Sequence, residues 1–329
     1  MCINPGSAQN INRFKNQNSG YSILIGKNTL SLLPRKLNFL CPNTKNIAII
    51  IDKKIPSKFK KILKNRLQKY NLLMLPFSAS EKNKSINTVN FYLKKLLSKN
   101  FNRSDLVIAM GGGITGDVAG FVSSIFKRGI NFINIPTTLL SQVDSAVGGK
   151  TGVNSIYGKN LIGSFYQPKL VVIDTSFIAT LPKKEMICGY AEILKHSIIK
   201  DKKFFNWLER NTKFILSKKE KELSYAIKKS CEIKTYFATK DVKEKNLRMV
   251  LNFGHTFAHA IEVKNNYSIK TTHGEAVLSG MILATKLSVI KKICSSKTLN
   301  RIKKMYSQNN LAYTYKEFSS KLSVNKLIP

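Results

Sequence analysis

The chain holds four histidines, at positions 196, 255, 259 and 273. Three fall in one short stretch, and His255 and His259 are four residues apart. On a helix that spacing puts both imidazoles on one face, where they can hold one divalent metal. The same spacing also describes two histidines on a solvated helix face. Upstream, Glu192 and Lys195 stand three apart in an apolar-periodic segment, so both can face one pocket.

Two glycine-rich stretches point to anions. Leu106–Met110 runs into Gly111-Gly-Gly-Ile-Thr-Gly-Asp117 and then a helical pattern. Glycines permit close backbone approach, and the helix start offers free N–H groups to a pyrophosphate. The spacing is not the ordinary dinucleotide fingerprint, so the pattern indicates a phosphate cradle or a tight strand-to-helix turn. The second stretch, Ile135 to Asn154, crowds Thr137, Thr138, Ser141, Asp144, Ser145, Lys150 and Thr151 around a glycine pair. Gly148-Gly-Lys-Thr151 has the ending of a Walker A loop, but Asp144 occupies the position of its first glycine. An NTPase is rejected on that ground.

Positioning these groups requires two kinds of structure. Tyr21–Ile25, Asn46–Ile51, Leu72–Leu75, Leu106–Met110, Phe132–Ile135 and Leu170–Ile173 read as strands. Ser57–Gln68 and Ile86–Ser98 read as helices between them. Alternating strands and helices imply an α/β dinucleotide-binding domain with a mostly parallel, doubly wound sheet. After Leu181-Pro182 the pattern becomes helical: Lys184–Ile199, Lys203–Leu208, Leu223–Phe237, Val250–Glu262 and Gly274–Ile293. We expect an α/β domain over 1–180 and a mainly α-helical, metal- and substrate-binding domain over 181–329.

Composition excludes several classes. The formal charge is +37, yet 47 of the 55 basic residues are lysine and only eight are arginine, spread along the chain. Nucleic-acid readers favour arginine for base edges and bidentate phosphate contacts. The charge therefore reads as a solvated basic surface, which would still steer phosphorylated or carboxylated substrates. Five scattered cysteines without a CxxC pair argue against a zinc ribbon or disulfide framework and fit a reducing cytosol. No apolar run reaches bilayer length, and Met1–Gly20 lacks the apolar core of a signal peptide. A cytoplasmic protein is expected.

At the central block the chain resembles the 3-dehydroquinate synthase family. Four runs match in order between Gly111 and Pro168: GGGITGDVAGF, KRG, PTTLLSQVDSAVGGKTGVN and GKNLIGSFYQP. LPKKE, GYAEILKH, LNFGHTFAHAIE and HGEAV continue the resemblance, which spans about residues 20–300.

The resemblance implies conversion of 3-deoxy-D-arabino-heptulosonate 7-phosphate to 3-dehydroquinate and phosphate, a step of the shikimate pathway in aromatic amino-acid biosynthesis. Bound NAD would oxidise a ring alcohol, phosphate would leave, and the same cofactor would return the hydride before ring opening and aldol closure. The enzyme would thus be a lyase. It implies one Zn²⁺ or Co²⁺ held by Glu192, His255 and His273, which moves His259 from the metal to the substrate. His196 receives no role. Substrate contacts carried over are Arg128, Asp144, Lys150, Asn160, Lys195, Lys234, Arg248, Asn252 and His259. NAD contacts carried over are Glu81, Lys84, Gly113, Ile114, Thr115, Gly116, Asp117, Thr137, Thr138, Lys150, Lys159, Phe177, Ile178, Ala179 and Thr180. Asp52, ending a strand, stands where a ribose-binding carboxylate is expected. A homodimer is also implied.

Three departures stand out. Ser78-Ala-Ser-Glu81 replaces a Pro-Asp-Gly-Glu turn. Asp241 to Arg248 lacks the family's Asp-Glu and its glycine, and Asn246 is expected to supply the positive-φ bend there. The chain stops at Pro329, where an Asp-Lys-Lys motif would follow; Lys321 and Lys326 are the candidate substitutes. The competing readings are another sugar-phosphate cyclase and a non-catalytic basic remnant that binds polyanions.

Overall fold

The structure is a computed structural model, described for residues 9–15, 20–264 and 272–311. Lys321, Lys326 and most of Met1–Gly20 lie outside the described residues.

Strands β1 (Gln9–Lys15) and β2 (Gly20–Gly26) form an antiparallel pair at one edge of the main sheet. Helix α1 (Leu33–Leu40) leads to β3 (Asn46–Asp52), α2 (Ser57–Arg66) and β4 (Asn71–Phe77). Helix α3 (Ile86–Ser98), β5 (Leu106–Gly111), α4 (Gly113–Ile125) and β6 (Asn131–Pro136) follow. A two-stranded antiparallel hairpin, β7 (Lys150–Ser155) and β8 (Gly158–Phe165), precedes β9 (Leu170–Asp174). The main sheet runs β1-β2-β9-β6-β5-β3-β4, and all its neighbours except β1 and β2 pair in parallel.

The strands are almost continuously apolar because both faces are covered. Ile47, Ile49 and Ile51 pack with Leu33, Leu37 and Leu63 from α1 and α2. The alternate residues Ala48 and Ile50 pack with Val89, Leu96 and Val118 from α3 and α4. In β2 the same alternation has another use. Leu24 faces the first layer, whereas Ile23 and Ile25 join the core of the helical half.

That half comprises α5 (Lys183–Lys200), α6 (Lys202–Leu216), α7 (Glu220–Lys240), α8 (His255–Lys264), α9 (His273–Ile290) and α10 (Ser296–Gln308). Every residue of α5 from Met186 to Ser197 is buried, so it is the central helix of the half rather than an amphipathic surface helix. Its polar members Glu192, Lys195 and His196 must therefore find partners inside the protein.

Several expectations shift. The helix expected over Val250–Glu262 is split: a 3-10 turn over Leu247–Asn252 ends before Gly254, and α8 begins at His255. Gly254 has φ +81°, and a Cβ there would lie 2.8 Å from the Met281 nitrogen, so the break is set by close contact with α9. The central polar block is not one loop; it contains a single π turn at Ser141–Ser145 and then β7. Helices α1 and α10 and the edge strand β1 are additions to the expected elements. Asn246 has φ −145° and does not supply the positive-φ bend; Glu244 does, at φ 54°. No helix among the described residues is long and apolar enough to cross a membrane.

Candidate active site between the sheet and the helical half

The chemistry-bearing residues meet where the carboxyl ends of the parallel strands face α5, α7, α8 and α9. Glu192 is 1% exposed. Neither of its carboxylate oxygens accepts a hydrogen bond. Lys195, one turn on, forms an ion pair with it, and the His255 Nε2 lies 3.7 Å from Oε1.

His273 opens α9, fixed by a capping box in which Thr272 and Glu275 exchange hydrogen bonds. Ligand atoms of Glu192, His255 and His273 lie within 4.8 Å of one another. His273 Nδ1 pairs with Glu262 Oε1 at 3.1 Å, which leaves Nε2 available as a ligand. His255 Nδ1 is buried without a partner. One carboxylate and two imidazoles, with orphaned buried donor atoms, fit a catalytic divalent cation that keeps open positions.

The titration behaviour follows from this setting. Burial and the Lys195 ammonium push His255 down to about 4, so its imidazole is neutral at neutral pH. Burial disfavours charge on His273, but the hydrogen bond to Glu262 and the negative charges of Glu192 and Glu262 together outweigh it, and the net shift is upward. Burial raises the Glu192 carboxyl, but Lys195 together with His255 and His196 holds it below the ordinary carboxylate range.

Beside this cluster lies a cavity of about 540 Å³ lined by basic groups. Lys234 Nζ donates to both the Asp144 carboxylate (2.5 Å) and the Asp144 carbonyl oxygen (2.6 Å). Burial alone would raise Asp144, but Lys234 and Lys195 hold it well below the usual range. Burial and Arg248 lower Lys150 to about 8. Arg248 is 2% exposed and donates from Nη1 to Gly148 O at 3.2 Å. Gly148 has φ +101°, and a Cβ there would meet the guanidinium. The glycine pair of the central block thus makes room for an arginine.

A second cleft of about 990 Å³ adjoins the cavity, and Asp117, Asp144, Ser145 and Asn160 line both. Gly112 and Gly113 bring the α4 N-terminus to it. Lys84, 5% exposed, donates to Asp117 Oδ2 at 2.7 Å and also contacts Asn160. Across the cleft, Phe177 packs on Phe59 with ring centroids 4.5 Å apart. The cleft is long, half apolar, and has a glycine-flanked helix start at one side, which suits a dinucleotide.

A family model described as 3-dehydroquinate synthase N-terminal matches residues 74–188, and one described as 3-dehydroquinate synthase C-terminal matches residues 189–329. The 3-dehydroquinate synthase of Pelagibacter ubique (strain HTCC1062) is 49% identical over 308 residues, covering 94% of this chain and 84% of that protein. The chain belongs to the 3-dehydroquinate synthase family. Among solved structures, 2-epi-5-epi-valiolone synthase from Streptomyces hygroscopicus subsp. jinggangensis 5008, with NAD⁺ and Zn²⁺ bound, superposes with a TM-score of 0.80 at 26% identity, covering 89% of this chain and 81% of that one. A 2-deoxy-scyllo-inosose synthase complexed with carbaglucose-6-phosphate, NAD⁺ and Co²⁺ shares the fold, with a TM-score of 0.86 at 24% identity, covering 98% of this chain and 85% of that one.

Within this 3-dehydroquinate synthase fold most residues carried over from the resemblance converge. Asp144, Lys150, Asn160, Lys195, Lys234, Arg248 and Asn252 line the smaller cavity. His259 lines the larger cleft instead, although its ring lies 5.6 Å from that of His255. Asp52, Glu81, Lys84, Gly113, Ile114 and Asp117 line the cleft, as do Thr137, Thr138, Lys159, Phe177 and Thr180.

Five residues do not join them. Arg128 is exposed and left-handed (φ 64°) on the turn after α4, and lines neither space. Thr115 and Gly116 are buried against the sheet. Ile178 and Ala179 face a separate cavity on the far side of Phe59. Alternate residues of a helix or turn point to different sides, so a contiguous run cannot all touch one ligand.

The altered Ser78–Glu81 turn closes without Pro or Gly. Ser80 Oγ accepts from the Asn83 N–H at 3.2 Å, and Asn83 Nδ2 donates to Ser78 O at 2.8 Å. Sequence reasoning missed Glu262, Ser230 and Glu244. Glu262 lies seven residues after His255, on the same helix face, and that spacing is the signal for it. Ser230 carries no such signal; it meets His196 Nδ1 at 2.5 Å only through the packing of α5 on α7.

Proposed function

We propose that this protein is a 3-dehydroquinate synthase, a lyase that takes 3-deoxy-D-arabino-heptulosonate 7-phosphate to 3-dehydroquinate and phosphate. The observation that carries this reading is the joining of a carboxylate-imidazole-imidazole cluster, a cavity lined by four cationic side chains, and a dinucleotide-shaped cleft at one strand-end crevice. Residues 1–180 would form the NAD-binding domain and 181–329 the metal- and substrate-binding domain, with the reaction between them.

Glu192, His255 and His273 would hold one Zn²⁺ or Co²⁺, which when bound supplies Lewis-acid polarisation of a substrate oxygen. The cleft would hold NAD, which supplies a reversible hydride acceptor. The remaining work belongs to the side chains. Lys150, Lys195, Lys234 and Arg248 bind and orient a sugar bearing a carboxylate and a phosphate. Lys234 keeps Asp144 ionised, so Asp144 accepts hydrogen bonds from ring hydroxyls. Asn160, Asn252 and His259 complete the orientation. Arg128, which lines neither space, has no derived role in it. A homodimer located in the cytoplasm is the expected setting.

The test is release of inorganic phosphate from the heptulosonate phosphate by purified, NAD-supplied and Zn²⁺-loaded protein. Turnover with formation of 3-dehydroquinate is expected. Absence of release would refute the assignment, and release from a heptose or hexose phosphate instead would move it to another sugar-phosphate cyclase.

A further inference from the structure

Strands β7 and β8 pair in register from Lys150 to Val153 and again at Ser155, with an irregularity at Asn154 between them. A bulge of this kind frees one residue from the ladder and re-aims it. The Asn154 N–H donates instead to Lys84 O at 2.8 Å, in a bridge beside Ser85 at the start of α3. The half-buried side chain then bonds in two directions. Its Nδ2 donates to Glu81 Oε2 at 2.8 Å and to Glu81 O at 3.2 Å. Its Oδ1 accepts the N–H of Asn160 at 3.0 Å.

Both partners belong to the crevice. Glu81 lines the dinucleotide cleft, and Asn160 lines the cleft and the basic cavity alike. Both sit on turns that need an outside tie. Ser78-Ala-Ser-Glu81 lacks the Pro and Gly that would stiffen it, and the bonds between Ser78, Ser80 and Asn83 do not reach the Glu81 carboxylate. Asn160 stands in the left-handed region, φ 59°, where its N–H is turned onto Asn154. Lys84 closes the circuit: its carbonyl holds the Asn154 main chain, while its ammonium donates to Asp117 and contacts Asn160.

We infer that Asn154 is a positioning residue for both subsites, whose one side-chain amide holds Glu81 for NAD and Asn160 for the sugar phosphate. The inference rests on the proposed function and deepens it. The site demands a donor on the side of Glu81 and an acceptor on the side of Asn160, and a primary amide carries both. An aspartate of the same shape would keep the acceptor and set a like charge against Glu81. A leucine would satisfy neither side.

That difference supplies the experiment. NAD is titrated calorimetrically into Zn²⁺-loaded wild type and variants freed of NAD, and KM for the heptulosonate phosphate is measured at saturating NAD. Asn154→Asp should weaken NAD about ten-fold and hold KM within about two-fold. Asn154→Leu should worsen both about ten-fold. In a Glu81→Ala background Asn154→Asp should cost NAD binding nothing further, and an undiminished loss there overturns the inference. So does a lower melting temperature with NAD affinity and KM unchanged, the result expected of a residue that serves folding alone. Should neither variant fold, hydrogen exchange on the wild type decides. Slowed exchange of the Asn160 amide supports the tie, and exchange at the rate of an unfolded chain overturns it. A wild type that binds NAD without releasing phosphate from the heptulosonate phosphate would overturn the proposed function, while the NAD titrations would still decide the tie to Glu81.

Discussion

Glu262 accepts the Nδ1–H of His273 at 3.1 Å, so that the opposite ring nitrogen is turned toward Glu192 and His255. The link crosses from the end of α8 to the first residue of α9. Outer partners of this kind orient a ligand and raise its basicity, and their loss costs roughly 10–100-fold in metal affinity or activity. Glu262→Ala is expected to weaken Zn²⁺ binding in that range while leaving the fold intact. Metal titration with a competing chelator reads the affinity, and circular dichroism reads the fold. Equal Zn²⁺ affinity in the variant would remove Glu262 from the site.

Lys234 bridges the side chain and main chain of Asp144 from α7 to the π turn after β6. Deleting one partner of a buried pair leaves the other uncompensated, at a cost of roughly 3–5 kcal/mol. Asp144 retains some exposure, so the lower end is expected for Lys234→Ala. Urea unfolding measures it. Turnover should fall as well, since Asp144 would lose both its position and its stabilised charge.

His196 is 0% exposed, with Nδ1 on Ser230 at 2.5 Å and Nε2 3.8 Å from Asp144 Oδ1. Burial, then the neighbouring Lys195, pushes its imidazole down to about 3. The unfolded chain binds a proton near the ordinary value of about 6.5, which the folded chain refuses. The sign follows: this contribution is fully present above about 6.5 and is lost as pH falls toward 3. Stability curves of wild type and His196→Gln should therefore converge on acidification through that window. Parallel curves would show that His196 carries no linked proton.

Gly148 sits at φ +101° with its would-be Cβ 3.1 Å from the Arg248 guanidinium carbon. Gly148→Ala is expected to cost about 1–2 kcal/mol for the backbone conformation. It should also displace Arg248 and raise KM for the sugar phosphate more than it lowers kcat. Steady-state kinetics beside thermal unfolding separate the two effects. A variant with wild-type KM would show that Arg248 does not need that space.

Much of the α/β half was legible because its signals are local. A doubly buried parallel strand such as Asn46–Asp52 has to be an apolar run, and Ser85 marks the start of α3 by capping it. The split at Gly254 was not legible, because the reason for it lies on α9, whose Met281 nitrogen closes the space. The positive-φ bend was placed on Asn246 by intrinsic tolerance, but three N–H bonds to Asp241 moved it to Glu244. A local preference of this kind is overridden when several hydrogen bonds act together.

By itself the sequence determined the strand–helix alternation, the glycine-turn cradle, the density of anion-binding groups and, through its motifs, the family. Spacing alone linked His255 to His259, since it can relate only residues on one element. The tertiary structure brought Glu192, His255 and His273 within reach of one ion from three helices, left Arg128 at the surface, and set Glu244 against Lys150. Those outcomes depend on helix packing and on burial, which decide where a charge must find a partner. No periodicity along the chain encodes them.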